Sequence, residues 1–327
     1  FYIDVLSALA DLRVTSTDIV IGGIPFYHVA AMYLFVTVVC LGATSIIEYA
    51  PNPQEILELT ARKKITLWVW PTALYTVLPH LPGFDTYDLS SLRTCIVFGG
   101  LAVLPVFERL RQILPATAFM NYYGQTEMSP LGTSLNAEDF GHNPGSIGKA
   151  HTPLLLKVVD PEGRELPRGE VGELVARGPS IMLGYYNDPG NTEKVFRGGW
   201  HHTGDLVSMD TEGFVYFVDR KKDIIKSGGE NVSSQEVEDV LFRCPGVVDA
   251  AVIGLPDPYW SEAVTAVVVP MPGQEIKEQD LITFCKQELA AYKVPKKVVI
   301  MNALPRNPSG KILKGLLRKQ LSAEMGA

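Results

Sequence analysis

Residues 19–47 contain no Asp, Glu, Lys or Arg, and a stretch so long and uncharged belongs either across a bilayer or inside a layered domain. Gly22, Gly23 and Pro25 interrupt it, His28 follows, and Gly42 interrupts it again. The spacing therefore predicts strand, loop, apolar helix and strand of a buried α/β layer, and no transmembrane segment. The flanks repeat the theme. Ile3, Leu6 and Leu9 predict a helix over residues 1–12, stopped by the polar residues 15–18. Beyond Pro51-Asn52-Pro53, a helix over 54–63 leads to a strand over 66–69, with further strands over 93–98 and 118–121. Strand and helix in alternation predict a mostly parallel sheet.

The pattern changes after residue 145. Short alternating strands over 154–159, 172–176 and 213–218, with a Pro161-Glu162-Gly163 turn, predict a β-rich subdomain over 145–218. Past Lys222 the order becomes helix (236–242), strands (248–253 and 263–269), helix (279–290) and strand (297–301). The expectation is part of a large, mostly parallel α/β domain over 1–222 and a small C-terminal α+β domain over 223–327. A chain of 327 residues, 46% hydrophobic, can bury two cores. A net charge of -7 without a basic tract argues against nucleic acid as the partner. Cys40, Cys95, Cys244 and Cys285 lie far apart, which indicates neither a disulfide framework nor a zinc site and suits a reducing, cytoplasmic setting.

Chemistry concentrates in a few turns. The strand over 118–121 delivers Tyr122-Tyr123-Gly124-Gln125-Thr126-Glu127, in which a ring could stack a base, a hydroxyl bond a phosphate and a carboxylate hold magnesium. A polar turn beside a half-buried tyrosine would read the same way. Gly99 and Gly100 end a strand with bare backbone, open to a flat ligand or simply a tight βα turn. Thr203-Gly204-Asp205 offers a carboxylate suited to ribose hydroxyls, with Arg220 in the charged run 219–223 suited to phosphate; a solvated hairpin with a surface ion pair is the alternative. Met182, Tyr185 and Tyr186 read as packing. Lys311 sits in a stiff loop bearing Pro305, Pro308 and Gly310, and His28 either lines a ligand pocket or caps the next helix.

Tyr-Gly-Gln-Thr-Glu (123–127), Gly-Tyr-Tyr-Asn-Asp-Pro with Thr192 (184–192), Thr-Gly-Asp (203–205), Asp-Arg-Lys-Lys-Asp (219–223) and Pro-Ser-Gly-Lys (308–311) occur in one order. Together they resemble the acyl-adenylate-forming superfamily of acyl-CoA synthetases, luciferases and peptide-synthetase adenylation domains. The resemblance implies an AMP-forming ligase that joins a fatty or aryl acid to coenzyme A through acyl-AMP, using ATP and Mg2+. By it, Tyr123 stacks on adenine, flanked by Gly100, Leu101, Ala102, Asn121, Tyr122, Gly124 and Gln125. Thr126 bonds phosphate and serves catalysis, Glu127 holds magnesium, and Asp205 takes the ribose beside Arg220. Lys311 is the catalytic lysine and Lys222 the hinge. His28 and Gly99 border the acyl pocket, and Gly228 and Gly229 open a coenzyme A channel. Read from its own residues, the apolar, aromatic run 67–78 suggests a greasy acyl site, with core as the usual alternative for such runs. The family's glycine-rich phosphate loop, expected just upstream of Phe1, occurs nowhere in the chain, so the resemblance covers roughly the C-terminal three-fifths of a member. An amino-acid adenylation domain would carry an aspartate at Phe26-Tyr27-His28; a non-catalytic remnant is the other alternative. Oligomeric state leaves no mark in the sequence.

Overall fold

The computed structural model describes residues 2–12, 14–48, 52–99, 104–271, 273–307 and 310–325. Two compact units emerge: Phe1–Thr203 with Val207–Phe217, and Gly204–Leu206 with Val218–Ala327. The division falls at Val218, not after Lys222, and carries Asp205 into the second unit. Side-chain caps explain the shift. Asp219, buried at the end of its strand, accepts from Ser234 N at 2.5 Å and Ser234 Oγ at 2.9 Å, which ties residues 218–220 to the helix Ser234–Arg243.

The large sheet begins with Ile19–Gly22 (β1), Thr44–Ile46 (β2), Leu67–Pro71 (β3), Thr94–Phe98 (β4), Ala118–Tyr123 (β5), Thr133–Leu135 (β6) and Ser146–Ala150 (β7). It continues with Leu155–Val159 (β8), Gly172–Arg177 (β9), Phe196–Arg197 (β10), Trp200–Met209 (β11) and Val215–Arg220 (β12). Among the described residues the order is β2-β1-β3-β4-β5-β6-β7-β12-β11-β9-β8, with β10 on β11. Pairing is parallel from β2 to β5 and turns antiparallel at β5 and β6. The strands expected to form a β-rich subdomain thus extend the same sheet, joined where Thr133 pairs with Ala150.

The uncharged stretch folds as its spacing predicts, with the helix Val29–Cys40 between β1 and β2. No helix among the described residues is long and apolar enough to cross a membrane. Asn52 caps the helix Pro53–Lys63 in a reciprocal box with Glu55, and Lys64 ends it in the left-handed region at φ 53°. Most of the run 67–78 is core, the alternative reading for such runs, although Val77 stays exposed. Trp68, Tyr75 and Leu78 are fully buried against Ile56 and Phe107. Two of the run's polar tips are satisfied, Trp68 Nε1 donating to Thr60 Oγ1 at 2.9 Å and Tyr75 Oη to Ile96 O at 3.0 Å, whereas buried Trp70 Nε1 and Thr72 Oγ1 have no hydrogen-bond partner.

At the amino ends of the parallel strands, buried Asp18 accepts from Thr15 N, Thr66 Oγ1 and the Arg93 guanidinium, all at 2.5–2.7 Å. Burial works to raise its pKa, but Arg93 and the other donors outweigh it and hold the carboxyl far below the ordinary range.

The second unit has its own sheet, from Ile225–Ser227 (β13), Glu230–Val232 (β14), Val247–Asp257 (β15), Ser261–Pro270 (β16) and Lys297–Ile300 (β17). β15 and β16 form a long antiparallel hairpin, and β17 joins β16 in parallel. Val237, Leu241, Val252, Val264 and Leu281 pack one face; Ile253, Val267 and Leu317 pack the other.

Candidate active site

His28, Gly99 and residues 124–127 follow the carboxyl ends of β1, β4 and β5, the edge of a parallel sheet where ligands bind. β5 runs to Tyr123, two residues beyond its expected end, because Tyr122 pairs with Phe98 and Tyr123 with Thr133. Asn121 and Tyr122 are consequently buried, while Tyr123 is half-buried and packs beside Met128 and Leu154. Gly124 is bare for a local reason. A Cβ there would lie 1.8 Å from Pro130 O, so the glycine lets the chain pass its own return and need not be clearing a base.

Thr126–Met128 forms a single 3-10 turn that leaves Thr126 exposed. Strand β11 holds its entrance: Gln125 Nε2 donates to Thr203 O at 2.9 Å, and Gln125 Oε1 lies 3.2 Å from His201 Nε2. Glu127 is held twice, since its carbonyl accepts from Met182 N at 2.9 Å and its Oε1 from Tyr185 Oη at 2.8 Å. Burial, then the Glu127 carboxylate, push the Tyr185 hydroxyl up to about 12.

Tyr185 was expected to be packing, and its partner lies too far along the chain for spacing to reveal. Its support is local. Thr192 Oγ1 accepts from Tyr185 N at 2.9 Å and donates to Asp188 O at 2.8 Å, and Asp188 caps the helix Pro189–Val195. The Gly-Tyr-Tyr-Asn-Asp-Pro run with Thr192 is therefore a closed turn that presents one phenol to Glu127. Tyr186 is 94% exposed and has no such partner to explain it.

The second unit gathers the other candidates. Asp205 is buried at 4% exposure, with Arg220 Nε 3.7 Å from its Oδ1. The Thr-Gly-Asp segment, expected in a turn, lies within strand β11, and Lys221 N donates to Gly204 O at 2.8 Å, which keeps it against the end of β12. Arg220 ends that strand instead of lying in a loop. Lys311 is tied to Asn307, Lys311 N donating to Asn307 Oδ1 and Asn307 N to Lys311 O, both at 2.9 Å. The residue as a whole is exposed, yet crowding of its ammonium by protein, then the charges of Arg220 and Lys222, lowers its pKa, with Asp205 and Asp223 opposing. Asp205, Arg220, Lys222 and Lys311 thus share one electrostatic neighbourhood.

Lys222 lies in a turn closed by Asp223 N donating to Arg220 O at 2.8 Å. Gly228 and Gly229, at φ 62° and 87°, are the two-residue turn between β13 and β14, and a Cβ on Gly228 would meet the Trp260 ring at 2.9 Å. Such a hairpin requires positive φ at both positions, so the pair has a structural cause of its own. His28 caps the helix Val29–Cys40 through Nδ1, 3.2 Å from Ala30 N, and burial lowers its pKa. Gly99 stands at φ 76° with open space where a Cβ would be. Gly100, Leu101 and Ala102 lie outside the described residues, as do Pro308 and Ser309.

Residues 3–186 match the AMP-binding enzyme family, and residues 236–311 match the AMP-binding enzyme C-terminal domain. This chain belongs to the AMP-binding enzyme family. Among AMP-binding enzymes it is 38% identical to feruloyl-CoA synthase of Amycolatopsis sp. over 96% of its own length and 64% of that protein. It is 36% identical to a long-chain-fatty-acid–CoA ligase of Escherichia coli over 93% of its own length and 54% of that protein. The structure of ATP-bound MatB from Rhodopseudomonas palustris superposes with a TM-score of 0.89 at 32% identity, covering 98% of this chain and 63% of that one. The o-succinylbenzoate CoA synthetase of Bacillus subtilis with its acyl-adenylate intermediate gives 0.86 at 30% identity, over 97% and 64%. The chain therefore spans less than two thirds of the length of these relatives.

Proposed function

We propose that the protein containing this chain activates a carboxylic acid with ATP and transfers the acyl group to coenzyme A. In the first step a carboxylate oxygen attacks the α-phosphorus, the bond to pyrophosphate breaks and pyrophosphate leaves. In the second the thiol sulfur attacks the acyl carbon, AMP departs with the bonding pair, and the thiol proton is released. The observation that carries this reading is the grouping of Asp205, Arg220 and Lys311 around one patch: an acceptor for a ribose diol, and two cations for phosphate. Fatty and aryl acids are the substrate classes favoured, since the named relatives are a feruloyl-CoA synthase and a long-chain-fatty-acid ligase.

Each residue then has a task. Tyr123 offers a half-buried ring to adenine, Thr126 an exposed hydroxyl to phosphate, and Lys311 a positive charge to the α-phosphate as negative charge develops there. Among the described residues no three His, Cys, Asp or Glu could hold a metal together. One carboxylate, Glu127, beside the Thr126 hydroxyl is the donor set that suits magnesium carried in on nucleotide phosphates. When bound, that ion would draw charge off the leaving pyrophosphate. Lys222 is the proposed hinge, His28 and Gly99 border the acid, and Gly228 and Gly229 the pantetheine arm. Free Cys40, Cys95, Cys244 and Cys285 suit a reducing, cytoplasmic setting.

Pyrophosphate exchange with ATP and magnesium is the test, run with ferulate, palmitate and a set of amino acids, followed by coenzyme A. Exchange with ferulate or palmitate and thioester formation are expected. Exchange with amino acids only, or with none of these acids, would overturn the proposal.

A further inference from the structure

The turn that carries Thr126 and Glu127 is short and partly exposed, so something must fix its entrance. His201 is buried at 2% exposure on β11, with its ring 5.7 Å from that of Phe196. Gln125 Nε2 donates to Thr203 O, which orients the amide and turns its oxygen toward His201 Nε2 at 3.2 Å. An amide oxygen only accepts, so the imidazole donates from Nε2. Its Nδ1 is buried with no hydrogen-bond partner. The ring is then the neutral Nε2–H tautomer. Burial lowers its pKa, His202 acts the same way, and Glu127 and Glu173 oppose.

We infer that His201 is a positioning residue: its Nε2–H clamps Gln125 and so sets where the next two side chains, Thr126 and Glu127, meet the nucleotide. This rests on the function proposed above. Two bonds to one amide, from a ring and a carbonyl two residues apart on a single strand, remove both rotation and translation of Gln125. A displacement of about 1 Å at such a turn is enough to cost on the order of a hundredfold in rate.

His201→Leu removes the donor and keeps an apolar side chain of similar bulk. The expected result is a fall of about tenfold in kcat for pyrophosphate exchange with whichever of ferulate and palmitate the wild type activates, the KM for that acid being unchanged. Thioester formation from supplied acyl-adenylate should stay within about twofold, since that step no longer moves the phosphates held by the turn. His201→Gln, whose amide nitrogen can donate from nearly the same place, should restore exchange. Equal slowing of both steps in His201→Leu, or no recovery in His201→Gln, would overturn the clamp. Nitrogen NMR of the histidine rings reads it without catalysis: an Nδ1–H tautomer at His201 would also overturn it. A wild type inactive with every acid would instead refute the proposed function, and the tautomer would still decide the clamp.

Discussion

Asp205 and Asp219 are both buried acids in the charged stretch between Trp200 and Asp223, and they do different work. Asp219 spends Oδ2 on a helix cap and Oδ1 on Arg220 N, whereas Asp205 faces Arg220 and the lysine patch. On the proposed function, Asp205→Ala should weaken binding of AMP and ATP, by about 1–3 kcal/mol if the site is closed, because the ribose diol would lose its acceptor. Calorimetry checks this, and unchanged affinity would remove Asp205 from the site. The contrast also marks the limit of sequence reading. Thr-Gly-Asp, Gln125 and Glu127 stood out because few structural needs ask for those residue types together. Tyr185 and His201 did not, since their partners lie 58 and 76 residues away. Gly124 stood out too, and the structure gives its bareness a cause that spacing could not show, the close pass of Pro130.

Strands and helices were legible wherever burial is periodic. The parallel strands over β1 to β5 and the helices between them follow from apolar runs broken by glycine and proline. Their ends were harder to place, because end positions depend on partners elsewhere: β5 runs on because β4 and β6 both pair with it, and the helix Ser234–Arg243 starts early because Asp219 caps it. The Asp18 knot shows how much one such partner can carry. Asp18→Ala would remove the buried carboxylate to which Arg93, Thr66 and Thr15 all donate, and a loss of about 3 kcal/mol in unfolding free energy is expected from urea denaturation. The helix contact between Glu238 and Lys314 makes a test in pH. Burial, opposed by Lys314 at 2.7 Å, pushes the Glu238 carboxyl up to about 7. The folded state thus holds this proton more tightly than the unfolded chain, so its contribution is complete below the unfolded pKa near 4.5 and is lost as pH rises through about 7. Lys314→Met removes the opposing charge and should enlarge the drop in urea midpoint between pH 5 and pH 8. Equal drops in both proteins would show that Lys314 does not tune the acid.

For the molecule as a whole, the proposed two-step chemistry assigns its steps to different residues. Lys311→Ala should abolish acyl-adenylate formation, a loss of about a hundredfold or more in rate, and leave thioester formation from supplied acyl-adenylate nearly intact. Lys222→Pro, which fixes the backbone φ in the turn after Arg220, should do the reverse. Equal effects of Lys311→Ala on both steps would remove the hinge from the mechanism. The change of strand direction at β5 also bears on how the chain acquires its structure. Every pairing from β2 to β5 is parallel and closes only after a helix has crossed the sheet, whereas β15 and β16 meet across the three residues Pro258, Tyr259 and Trp260. Local pairings form before distant ones. When denaturant is diluted away and amides are pulse-labelled with deuterium, protection should appear in Val247–Asp257 and Ser261–Pro270 ahead of Leu67–Pro71 and Thr94–Phe98, so that strands made earlier become native later.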